Sequence, residues 1–72
     1  MTIKEWCVNE LLPYMPGSKK CSSYILKHYC EKAIGTYVSN EQFIQTLDEL
    51  GVTGATYGIN KIYCIKNKFL RR

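Results

Sequence analysis

Gly35-Thr36-Tyr37-Val38-Ser39-Asn40-Glu41-Gln42-Phe43 is the stretch whose reading decides the fold. Ser39 is an N-cap residue, Gln42 stands at N3 to close a capping box, and Val38 and Phe43 fall at the N′ and N4 positions of a hydrophobic staple. The helix that starts there carries Phe43, Ile44, Leu47 and Leu50 at i, i+1, i+4 and i+7, and Gly51 closes it. Gly35 supplies the left-handed C′ position of a preceding helix, capped by Ser22 or Ser23 and running to about residue 34. Its apolar residues include Tyr29 and Ala33, four apart and expected to face inward together, with Lys27, Glu31 and Lys32 on the wet face. Only residues 35–38 separate the two helices, a connection of helix-turn-helix length.

Upstream, Thr2-Ile3-Lys4-Glu5 has the form of a second capping box and predicts a first helix over residues 3–12, with Trp6, Cys7 and Leu11 inward. Pro13 and Pro16-Gly17 end it, and residues 18–21 read as a short basic linker. Downstream, β-branched and aromatic residues with glycine punctuation predict strands over residues 53–57 and 61–66 joined at Gly58-Ile59-Asn60, followed by a basic tail over residues 67–72. The chain therefore reads as one α+β domain: first helix 1–12, helix-turn-helix 22–51, wing hairpin 52–66 and tail. Three helices followed by a two-stranded hairpin is the order of a small winged helix-turn-helix domain, and a three-helix bundle whose hairpin is not a wing is the structural alternative.

At 72 residues with 46% hydrophobic side chains, the chain has the size of a single small domain. Such a domain buries only about 60% of the surface its unfolded chain exposes, which leaves little room for an elaborate active site. No basic segment followed by an apolar run marks a leader, and no stretch approaches a membrane span, so an intracellular setting is expected. Cys7, Cys21, Cys30 and Cys64 are then expected to be reduced and to act as small buried hydrophobes. No Cys-x-x-Cys pair is present, and the single His28, two residues from Cys30 and seven from Cys21, is not at a recognisable ligand spacing, so no metal or other cofactor is expected. His28 and Cys30 are two apart on a helix and do not face each other, and the five glycines form no phosphate loop, so no catalytic residue is assigned.

Three groups of residues also resemble a known family: Ser23-Tyr24-x-Leu26-Lys27-His28-x-x-Glu31, Gly35-x-Tyr37-Val38-Ser39-Asn40-x-x-Phe43 with Leu50-Gly51, and Asn60-x-x-Tyr63-x-Ile65. The pattern is similar to small winged-helix proteins of phages and mobile elements of Gram-positive bacteria, and to winged-helix segments attached to phage and plasmid primase-helicases. It covers residues 22–65, about three-fifths of the chain. The resemblance implies a cytoplasmic DNA-binding or regulatory accessory role in a bacterial host, and no catalytic residues.

The net charge of +4 suits an anionic partner, but it is unevenly placed: residues 50–72 hold five basic residues and no acid. In a helix-turn-helix the second helix of the pair enters the major groove, where Asn40, Gln42 and Gln45 have the chemistry to read adenine edges. That helix also carries Glu41, Asp48 and Glu49 and no Lys or Arg. Phosphate contacts are therefore expected from Lys19, Lys20, Lys61, Lys66, Lys68, Arg71 and Arg72, with a log-log salt slope of about −6 if all engage. The same acidic helix, together with Tyr14, Tyr37, Tyr57 and Tyr63, supports an alternative: a protein-binding inhibitor of a host enzyme or defence nuclease, of the anti-CRISPR kind. Either a monomer or a homodimer is compatible with this length.

Overall fold

The computed structural model describes residues 1–71. Thr2 and Glu5 close the first capping box, with the Glu5 amide donating to the Thr2 hydroxyl at 3.0 Å and the Thr2 amide to the Glu5 carboxylate at 2.8 Å. The α-helical turn α1 (Ile3–Trp6) runs on as a π-helical turn, Cys7–Leu11, and a 3-10 turn, Leu12–Tyr14. Pro13 thus does not end the helical segment. It lies at the start of the 3-10 turn into which the segment tightens. Trp6, Cys7 and Leu11 are buried, as their spacing predicts.

The predicted linker at residues 18–21 is instead a strand, β1 (Lys19–Ser22). It pairs antiparallel with β3 (Asn60–Ile65), which pairs on its other side with β2 (Ala55–Tyr57), so the two-stranded hairpin becomes a three-stranded sheet in the order β1-β3-β2. A strand this short with one apolar residue leaves almost no alternation to detect. Cys21 supplies that residue and sits buried opposite Tyr63. Just before it, Gly17 donates to the Cys64 carbonyl at 3.1 Å, and a Cβ on Gly17 would collide with the backbone of Ile65 and Lys66.

The helix pair is α2 (Ser23–Ile34), capped by Ser22 and closed by Gly35 at φ 77°, and α3 (Asn40–Glu49). Both halves of the Ser39–Gln42 capping box form, and the staple residues Val38 and Phe43 are fully buried. The face that α2 buries differs from the expected one. Tyr29 and Ala33 are exposed, while Ser23, Leu26, Lys27 and Cys30 face inward. Lys27 can be buried because its ammonium meets Glu31 at 2.7 Å, one turn further along.

The hairpin turns through two residues, Gly58 and Ile59, with Gly58 at φ 62° and Tyr57 paired to Asn60. Tyr63 and Ile65 face the helices and are fully buried; Cys64 points away and is exposed, unlike the three other thiols. The expected tail folds as a helical turn, α4 (Asn67–Leu70), because Phe69 inserts between Trp6, Tyr14 and Tyr29 with ring centroids 5.3 to 6.2 Å apart. Among the described residues the α-helical elements therefore number four, against the three expected. No helix among the described residues is long and apolar enough to cross a membrane.

Candidate nucleic-acid interface

The geometry around the helix pair begins with a polar junction. Ser23, at the first turn of α2, is fully buried and donates to the Asn40 side-chain oxygen at 2.7 Å, while its own oxygen accepts the Lys61 amide at 3.2 Å. Asn40 in turn donates from Nδ2 to the Ile59 carbonyl and to the Asn60 side chain, both at 2.9 Å. These bonds join α2, α3 and the hairpin at one point. They also engage the Asn40 Nδ2 group that would otherwise be offered to an adenine edge. Gln42 accepts the Ser39 amide within the capping box, and Gln45 is exposed on the next turn.

Lys61 is withdrawn in a different way. Its ammonium lies 2.8 Å from the Asp48 carboxylate of α3, so its charge is matched within the domain. The other cations predicted to meet phosphates lie elsewhere. Lys19 and Lys20 are exposed on β1, directly opposite Ile65 and Cys64, and Lys66, Lys68 and Arg71 are exposed where β3 ends and α4 follows. Arg72 lies outside the described residues. Because β3 spans roughly 16 Å at strand rise, the nine described contact residues of the ten predicted fall into two groups. Asn40, Gln42, Gln45 and Lys61 belong to the end near the hairpin turn, whereas Lys19, Lys20, Lys66, Lys68 and Arg71 gather at the other end of β3.

The basic end contains no acid within residues 17–22 or 65–71. It can therefore hold phosphates, but it presents few groups able to discriminate bases. An apolar groove of about 1010 Å³ beside it, on the outer face of the sheet, is lined by Leu12, Met15, Val52 and Ile62, with Lys20 and Cys64 also on its wall. Sequence reasoning missed this groove, because it exists only through the unrecognised pairing of β1 with β3.

For acid-base or nucleophilic chemistry the arrangement offers little. Burial pushes the Cys7 thiol up to about 12 and the Cys30 thiol up to about 11, which keeps both protonated. His28 lies 3.2 Å from Glu31 on the solvent side of α2, away from Cys30 in the core. Among the described residues no group of three or more His, Cys, Asp or Glu side chains is placed to hold a metal ion. No family model, curated protein or solved structure matches the chain.

Proposed function

We propose that this chain is a winged-helix accessory protein of a phage or mobile element that associates with nucleic acid through phosphates. The order of helix, strand, two helices and hairpin supports the winged-helix reading, with β1 completing the sheet on which the hairpin stands. The phage setting follows from the resemblance of residues 22–65. The observation that carries the nucleic-acid reading is that five exposed cations, Lys19, Lys20, Lys66, Lys68 and Arg71, lie at the β1–α4 end, with Lys20 on the outer face of the sheet and Lys19 on the face turned to the helices. It revises the expected docking mode: α3 is acidic and its leading Asn40 is engaged internally, so affinity comes from the sheet end and α4, with weak sequence preference.

Charge reversal tests this directly. Replacing Lys19, Lys66, Lys68 and Arg71 with Glu should abolish binding to a random-sequence duplex, while Lys61→Gln, which removes only a cation already paired with Asp48, should leave it within about twofold. Equal loss in both variants would instead place the contacts on the hairpin and α3.

A further inference from the structure

At the opposite end of the molecule, three large side chains stand exposed around one cleft: Tyr24 at 53%, Tyr37 at 74% and Ile59 at 86%. Tyr37 comes from the connection between α2 and α3, and Ile59 from the tip of the hairpin. At the floor lies the buried Lys27 ammonium, 5.3 Å from the Tyr24 ring centre and 4.9 Å from that of Tyr37. Lys27 is in turn fixed by Glu31, whose same carboxylate oxygen accepts the Val38 amide at 3.2 Å, and His28 packs its ring edge-on against Tyr24 at 4.6 Å. The hairpin tip is held by the Asn40 bonds described above.

These contacts matter because exposed aromatics normally lose rotamer freedom when a partner covers them. Here both rings are already positioned over one cation, so that cost is largely met within the free protein. A single solvent-exposed apolar residue requires no explanation, but an isoleucine at a hairpin tip beside two pre-positioned tyrosines has the composition of an interface centre. On the far side of Ile59 a second shallow cleft is lined by Asn40, Glu41, Ile44, Gln45 and Asp48. Ile59 thus stands between an aromatic cleft and an acidic one.

We propose that this end is a docking site for a protein segment in which an apolar side chain is flanked by Lys or Arg. The apolar side chain sits against Tyr24, Tyr37 and Ile59, and a flanking cation lies over Glu41. Charge disfavours a nucleic-acid strand as occupant even though tyrosines can stack bases: Lys27 and Lys61 at this end are already matched by Glu31 and Asp48, Glu41 would face the phosphates, and Lys19, Lys20, Lys66, Lys68 and Arg71 lie at the other end of β3. The inference does not depend on the nucleic-acid reading. If both hold, the domain joins a polyanion at one end to a protein at the other.

The test uses the full chain, ¹⁵N-labelled, with three fluorescent ligands: a short peptide of alternating leucine and arginine, the matching leucine–glutamate peptide, and a short oligothymidine. Anisotropy should show the leucine–arginine peptide binding in preference to the leucine–glutamate one. Amide shifts should centre on Tyr37, Ile59 and Glu41. Tyr37→Ala and Ile59→Ser, both at exposed positions, should each weaken binding at least about tenfold, and Glu41→Lys should also weaken it. Lys66→Glu with Lys68→Glu should leave peptide binding unchanged while weakening duplex binding, so the two readings fail separately. The proposal is overturned if the leucine–arginine peptide does not bind, if the acidic peptide binds equally well, if the tyrosine and isoleucine variants bind like the wild type, or if the oligothymidine shifts the Tyr37 and Ile59 amides.

Discussion

Asn40 shows how a residue suited to reading a base can instead be consumed by the fold. Its side chain accepts from Ser23 and donates to Ile59 and Asn60, so Asn40→Ala would leave the buried Ser23 hydroxyl without its acceptor. We expect a loss of about 2 kcal/mol in chemical denaturation with duplex affinity per folded molecule unchanged; an affinity loss without a stability loss would restore the base-reading role. Glu31 is the other residue with several tasks. The Lys27 hydrogen bond first, and then the Val38 amide, hold its carboxyl below the ordinary carboxylate value. A lowered folded value means that the stabilisation is fully present above the unfolded value, about 4.3, and is lost as pH falls through the folded one. The melting temperature should therefore drop more steeply below about pH 4 in the wild type than in Glu31→Gln. Parallel acid profiles would contradict this. Neither role is visible from residue type alone, since Lys27 and Glu31 at i and i+4 look like an ordinary solvated pair until Tyr37 and Val38 fold over them.

The elements differ in how plainly the chain announces them. The start of α3 is specified by four neighbouring positions, Val38, Ser39, Gln42 and Phe43, which act within a single turn, and so it forms as expected. Helix α2 is bounded correctly by Ser22 and Gly35, but its buried face is set by the long-range bonds of Ser23 to Asn40 and Lys61 and by Tyr37 lying over Lys27, which periodicity cannot supply. β1 and α4 are the elements that local pattern misses. One depends on pairing with a strand more than 40 residues later in sequence, and the other on Phe69 reaching Trp6 and Tyr14. Gly17 belongs to the same long-range set. It reads as a helix stop, whereas the structure uses it to let the chain approach the backbone of Ile65 and Lys66. Gly17→Ala should therefore cost about 1–3 kcal/mol in a denaturant titration, through displacement of β1 from β3. A wild-type midpoint in that variant would show that the close approach is not needed.

On the scale of the whole molecule, what organises the surface is the separation of charge along β3. The excess of cations in the C-terminal third is legible in the chain, as is the acidity of α3. Their distance from one another is not, because it depends on β1 bringing Lys19 and Lys20 beside the end of β3, and on Asp48 neutralising Lys61. This division puts the five described cations at one end of β3 and the polar residues of α3 at the other. The most direct measurement is the salt dependence of duplex binding. With the five described cations engaged and Lys61 excluded, the log-log slope should be about −4.5, and Lys61→Gln should not change it. Binding absent even at about 50 mM salt, or a slope reduced by Lys61→Gln and unaffected by reversing Lys19, Lys66, Lys68 and Arg71, would contradict the account.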